Sequence, residues 1–184
     1  MYKEDEMEKL EVLIKRCQKN DHKAFDKLYE KYSPIIYGIC LRYTKNEDDA
    51  KDLMQDNFLK ILEKINEYKF QGSFDGWIRR IAINNTINFL NANKKLYSSE
   101  IELEQNNIAY PAVYEDMNVD VLLKAINCLP EKYRTIFNLF AIDGYSHAEI
   151  TEILNISEVT SRTQVKRARE FILNNLKKEH YERN

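Results

Sequence analysis

Along EDDAKDLMQDNFLKILEKI the apolar residues Ala50, Leu53, Met54, Phe58, Ile61, Leu62 and Ile65 recur every three or four positions. Successive side chains of a helix are about 100° apart, so this spacing gathers them on one side and leaves an acidic outer face. Glu47, Asp48 and Asp49 stand in the first turn, where the positive end of the helix dipole favours them. Upstream, Asp21 is placed to cap a helix through Ala24, Phe25, Leu28 and Tyr32, and Ser33 followed by Pro34 predicts that a new helix starts at Pro34. After a polar loop holding Gly72, the pattern FDGWIRRIAINNTINFLNANKK predicts a helix from near Phe74 with Phe74, Trp77, Ile78, Ile81, Ala82 and Phe89 on its buried side. Arg80, Asn84, Asn88 and Asn91 fall along one adjacent stripe, and Trp77 sits on the border.

The periodicity lapses in YSSEIELEQNNIAYPAVYEDMN, residues 97–118, which has neither sustained helical nor alternating patterning and includes Pro111. It reads as a linker between a first lobe, 1–96, and a second, 119–184. In the second lobe Pro130 opens LPEKYRTIFNLFAIDG, with Tyr133, Ile136, Phe137 and Phe140 on an apolar side and Gly144 suited to the helix exit. Ser146 and Glu149 then form an S-x-x-E capping box, Ile150, Ile153 and Leu154 point inward, Asn155 tolerates a left-handed turn, and Ser157 caps the next helix. Two helices joined by a tight turn are a helix-turn-helix. In the second of them Ser161, Val165, Ala168 and Ile172 make the seam against the lobe, leaving Arg162, Thr163, Lys166 and Arg167 pointing away.

Composition narrows the class. The 184 residues include only 4 Gly and 3 Pro, which suits helices with short connections, so the expected fold is all-α. The start, MYKEDEMEKL, is acidic and lacks the apolar centre of a secretory signal, and no run approaches the length of a membrane span; the expectation is a cytoplasmic protein without membrane insertion. Cys17, Cys40 and Cys128 are widely spaced and read as buried free thiols, and with His22, His147 and His180 they make no metal-binding spacing, so neither a metal nor a cofactor is expected. The formal net charge of −2 conceals an uneven distribution: residues 97–118 hold five acids and no Lys or Arg, whereas VTSRTQVKRAR, residues 159–169, holds four bases and no acid.

These features carry more than one reading. Asp48, Asp49, Asp52 and Asp56 suit metal ligation in a nuclease, a solvated helix face, or a docking surface for a basic partner; several lie on different sides of the helix and no His joins them, which weakens the first. The Asn residues at 84, 85, 88, 91 and 93 are poor helix formers, so a compensating contact with nucleic acid is one explanation and the chain's general richness in Asn, Lys, Ile and Tyr is another. For Trp77 a core role competes with base stacking. The basic stretch is either a solvated face or a recognition helix, and the coincidence of cap, turn and seam favours the latter.

The sequence resembles a sigma factor of the sigma-seventy family, extracytoplasmic-function (ECF) subgroup, over both lobes. LYEKYSPIIYGICLRYTKNEDDAKDLMQDNF is similar to the start of the family's second domain, FDGWIRRIAINNTINFL to its promoter-opening segment, and LPEKYRTIFNLFAIDGYSHAEITEILNIS with RTQVKRAR to its fourth domain. The resemblance implies two small helical domains, sigma domain two and a helix-turn-helix sigma domain four, joined by the acidic linker. It implies that Asp52, Gln55 and Asp56 dock on the clamp helices of the polymerase β′ subunit, and that the β flap of core RNA polymerase is a further contact. The loop from Phe70 to Gly76 and the helix bearing Trp77, Arg80, Asn84 and Asn88 would hold the separated −10 strand of promoter DNA. Arg162, Thr163, Lys166 and Arg167 would meet the −35 element in the major groove. The resemblance allows an anti-sigma factor as another partner and implies a non-enzymatic subunit. Val159 and Ser161 stand where the family frequently has Gly and Val, so base preference does not carry over. A stand-alone helix-turn-helix repressor is the alternative; it accounts for residues 119–184 and gives the acidic and the Asn-rich helices no task.

Overall fold

Local signals start and stop most of the helices. The structure is a computed structural model and describes residues 2–44, 46–94 and 119–182, with side chains described for 9–44, 46–92 and 122–176. Every regular element among the described residues is helical: α1 (Tyr2–Cys17), α2 (His22–Tyr43), α3 (Glu47–Lys64), α4 (Phe74–Lys94), α5 (Val119–Asn127), α6 (Glu131–Phe137), α7 (His147–Leu154) and α8 (Glu158–Glu182). The chain divides into two compact units, Met1–Ala92 and Asn93–Asn184. The expected linker, 97–118, lies outside the described residues. No described helix is long and apolar enough to cross a membrane.

In the first unit Asp21 caps α2 as expected, its side chain accepting from the backbone N–H of Lys23 and Ala24 at 3.0 and 3.2 Å. The helix does not restart at Pro34, however; α2 runs unbroken from His22 to Tyr43. Proline withholds the bond to the carbonyl of Glu30, but both residues are exposed, so water can serve that carbonyl. Burial of Leu28 and Tyr32 before the proline, and of Ile36 and Ile39 after it, keeps the same helical face against the core. Asn46 caps α3 by accepting from the N–H of Asp49 at 2.7 Å. Ala50, Leu53, Phe58, Ile61 and Ile65 are buried as the periodicity requires, with Met54 and Leu62 half-buried.

A polar residue occupies the centre of this core. Asn57 is 0% exposed, and its Nδ2 donates to Thr86 Oγ1 on α4 and to Cys40 Sγ on α2, each at 3.1 Å. Three helices therefore meet at one hydrogen-bonded node, which specifies their register more narrowly than apolar contacts alone. Burial also raises the Cys40 thiol and pushes that of Cys17 up to about 11, so neither is poised to react. Cys128, expected inside, is exposed; it follows the last turn of α5, where the neighbouring Leu129 takes the core position.

In the second unit α5, α6 and α7 all pack on α8. Ala125, Ile126, Leu129 and Tyr133 close over Ala168, Ile172 and Leu176. The helix after Pro130 ends in a π turn, Asn138–Ile142. A π turn inserts one extra residue per turn and shifts the face. Tyr133 and Ile136 are buried as expected and the half-buried Phe137 packs against the core, whereas within the π turn Leu139 is buried and Phe140, expected on the apolar side, is half-buried. Gly144 makes the exit at φ +75°.

Candidate nucleic-acid interfaces

The helix-turn-helix is built from short-range bonds. Ser146 Oγ accepts from the N–H of Glu149 at 3.2 Å while the Glu149 carboxylate accepts from the N–H of Ser146 at 2.9 Å, completing the capping box of α7. Asn155 adopts the left-handed conformation at φ 52°, ψ 49°, and Ser157 Oγ accepts from the N–H of Thr160 at 3.0 Å to start α8. Ser161, Val165, Ala168 and Ile172 are buried against the unit, with Gln164 beside them. His147 Nδ1 and Ser161 Oγ are 2.9 Å apart, a direct link from α7 to α8. The His147 ring stacks on Phe140 with centroids 4.4 Å apart. Burial holds the His147 pKa below the usual imidazole range, and the nearby Arg162 reinforces the shift.

That seam leaves Arg162, Thr163 and Lys166 exposed along one side of α8. Arg167 is half-buried rather than fully outward. Arg162 pairs with Glu158 one turn earlier, and Lys166 Nζ lies 3.8 Å from Glu170. Both ion pairs are solvent-facing, so both cations can exchange their partner for a phosphate or base edge at small cost.

On α4 the structure turns the buried face relative to the expected one. Phe74, Ile78, Ala82, Ile83, Ile87 and Leu90 are buried, whereas Ile81, Phe89 and Trp77 are half-buried. Thr86, turned inward to meet Asn57, sets this rotation. Arg80, Asn84, Asn88 and Asn91 are all exposed on the outer stripe. At its head Trp77 stacks on Phe74 (5.5 Å between centroids) and meets Tyr68 (5.4 Å), so one ring is shared between core and surface. The loop before α4 is held in shape by Tyr68, whose hydroxyl donates to the carbonyl of Gly72 at 2.8 Å, with Gly72 at φ +79°. Phe70, at φ +59°, stays on the surface with Lys15 Nζ 5.3 Å above its ring. Gln18 Nε2 adds bonds to the carbonyls of Ile65 and Tyr68 at 2.9 and 3.0 Å. The part played by α1 was not anticipated; the three-residue spacing of Ile14 and Cys17, both buried, is the sequence signal that marks it.

On α3, Asp52, Gln55 and Asp56 are exposed, opposite the buried Ala50, Leu53, Asn57 and Phe58. Leu59, on the same outer face, is 60% exposed. Among the described residues no group of three or more His, Cys, Asp or Glu is arranged to hold a metal ion.

Known proteins share these two units. Residues 28–96 match the family model for sigma-70 region 2, and residues 120–172 match that for sigma-70 region 4. The ECF RNA polymerase sigma factor SigW of Bacillus subtilis is 32% identical over 177 residues, covering 89% of this chain and 95% of the relative. The ECF RNA polymerase sigma-E factor of Haemophilus influenzae is 28% identical over 179 residues, covering 90% and 94%. In fold, the chain is similar to the sigma factor RpoE solved in complex with the anti-sigma factor NepR from Bartonella quintana, at TM-score 0.53 and 22% identity over 84% of this chain and 98% of that one. With both regions matched in order and a relative at 32% identity aligned over nearly its whole length, the chain belongs to the sigma-70 family of RNA polymerase sigma factors, in the extracytoplasmic-function group.

Proposed function

We infer that this sigma factor binds core RNA polymerase, directs it to specific promoters and helps melt the −10 region, and that its exposed side chains divide those tasks. In this reading residues 1–96 are the core-binding and −10 domain, 97–118 the linker, and 119–184 the −35 domain. Arg162, Thr163, Lys166 and Arg167 meet the −35 element, where the first turns of a recognition helix reach base edges and later positions meet phosphates. Trp77, Arg80, Asn84 and Asn88 hold the separated −10 strand: the amides pair with base edges, the aromatic supplies a stacking face, and capture of an extruded base offsets the cost of unpairing it. Asp52, Gln55 and Asp56 dock on basic surface of the polymerase β′ clamp helices. RNA synthesis needs catalytic metal chemistry that the polymerase supplies, so the protein acts as a specificity subunit and not as an enzyme.

The observation that carries the reading is the exposed stripe Arg80, Asn84 and Asn88 on a helix whose opposite face is fully used in packing, in a unit separate from the helix-turn-helix. A repressor would need only the second unit. Transcription by core polymerase on genomic fragments, with and without the protein, tests this: promoter-specific transcripts that depend on the protein are expected. Repression of transcripts made by another holoenzyme, with none gained, would favour the repressor.

A further inference from the structure

The first turn of α8 displays a large apolar side chain with no packing task. Val159 is 74% exposed, more than any other exposed large hydrophobic among the described residues. A β-branched residue at an exposed helical position is restricted at χ1 and gains nothing from burial, so its presence has no explanation in stability. Its surroundings define what it offers. Ser161 is turned fully inward, and Thr160 is half-buried with its hydroxyl 2.8 Å from that of Ser157. Glu158 is occupied with Arg162. One turn beyond Val159, Thr163 is exposed, and its Oγ1 donates to the carbonyl of Val159 at 2.9 Å. That bond spends the hydroxyl proton inside the helix, so toward a base Thr163 offers no donor, only its oxygen as an acceptor and its γ-methyl. Val159 and Thr163, four residues apart, therefore lie on the same face as neighbouring methyl-bearing side chains beside Arg162.

In the major groove the one apolar feature of a base edge is the 5-methyl of thymine. We propose that Val159 and Thr163 form an apolar ridge that reads the 5-methyl group of a thymine in the −35 element. The proposal rests on α8 being the recognition helix and adds a base class to it. Its chemistry discriminates thymine from cytosine, which lacks the methyl at the same place, without any hydrogen bond.

Replacing thymine by deoxyuridine removes that methyl and nothing else. The preferred −35 duplex is first selected from randomised DNA with the full chain assembled on core polymerase, and each thymine is then replaced singly by deoxyuridine. At one position the wild-type holoenzyme is expected to bind about fourfold more weakly, the worth of one methyl-sized group buried. Val159→Ala, which removes two methyls from an exposed site and improves helix propensity, should show a smaller difference between the thymine and deoxyuridine duplexes at that position while keeping its affinity for core polymerase. Three results would overturn the proposal while leaving the recognition helix intact: a selected −35 sequence without thymine, equal binding of every deoxyuridine duplex by wild type, or an undiminished thymine preference in Val159→Ala. Loss of core-polymerase affinity in Val159→Ala, with that preference kept, would place Val159 on a protein surface instead. If selection returned no −35 preference at all, the recognition-helix reading itself would fall with it.

Discussion

Alanine at Arg162 and alanine at Arg167 should have losses that differ in kind. The Arg162 side chain is 65% exposed and its ion pair with Glu158 spans one turn; such exposed pairs contribute about 0.3–0.5 kcal/mol. Arg162→Ala should therefore cost less than about 0.5 kcal/mol of folding stability. A bidentate contact with a base edge, in contrast, carries about 1–3 kcal/mol of discrimination. At about 1.4 kcal/mol per tenfold, that is a loss of roughly 5- to 150-fold on the preferred −35 duplex, with little change on a scrambled one. Arg167 lies about 1.4 turns further along and on another side of α8, where phosphates are nearer than bases. Its removal should weaken all sequences alike and lower the slope of log affinity against log salt by about 0.9. Binding isotherms for both variants on preferred and scrambled duplexes at several salt concentrations distinguish these outcomes, and Glu158→Gln serves as a control that frees Arg162 without deleting it. If both alanine variants gave the same uniform loss, Arg162 would be a second phosphate contact, and sequence reading would belong to Thr163, Lys166 or the ridge at Val159.

Reversing Asp52 to Lys should weaken binding to core polymerase through like-charge contact while leaving DNA binding and the melting temperature unchanged; wild-type affinity for core would return the acids of α3 to plain solvation. Asn57→Ala removes the node that joins α2, α3 and α4 and leaves Thr86 without its donor; denaturant unfolding should show a loss of about 1–3 kcal/mol, and a loss near zero would mean that apolar packing alone holds the three helices in register. His147 titrates below its ordinary value because it is desolvated, so between its folded pKa and about 6.5 the unfolded chain takes up a proton that the folded one does not. The stability it contributes is present above about pH 6.5 and is lost as pH falls through the folded pKa. His147→Gln should flatten that segment of the stability profile, and an unchanged slope would remove His147 from the account.

The helix-turn-helix is legible in the sequence because each of its signals is local. A capping box spans four residues, the left-handed Asn155 is a property of one, and the seam Ser161, Val165, Ala168 and Ile172 follows from helical period alone. The stripe of Arg80, Asn84 and Asn88 and the outward Asp52, Gln55 and Asp56 were readable for the same reason. Where expectation failed, a distant partner had decided. Ser33-Pro34 has the local form of a helix start, but burial of Leu28 and Tyr32 on one side and Ile36 and Ile39 on the other outweighs one missing hydrogen bond on the solvent side. The face of α4 is turned by Thr86 reaching Asn57, a contact across 29 positions that no periodicity encodes. The π turn at Asn138–Ile142 moves Leu139 into the place expected of Phe140. Capping and period are energies of neighbouring residues and are written in the chain; which face wins, and which polar side chain is admitted to the core, depends on what the other helices bring to it.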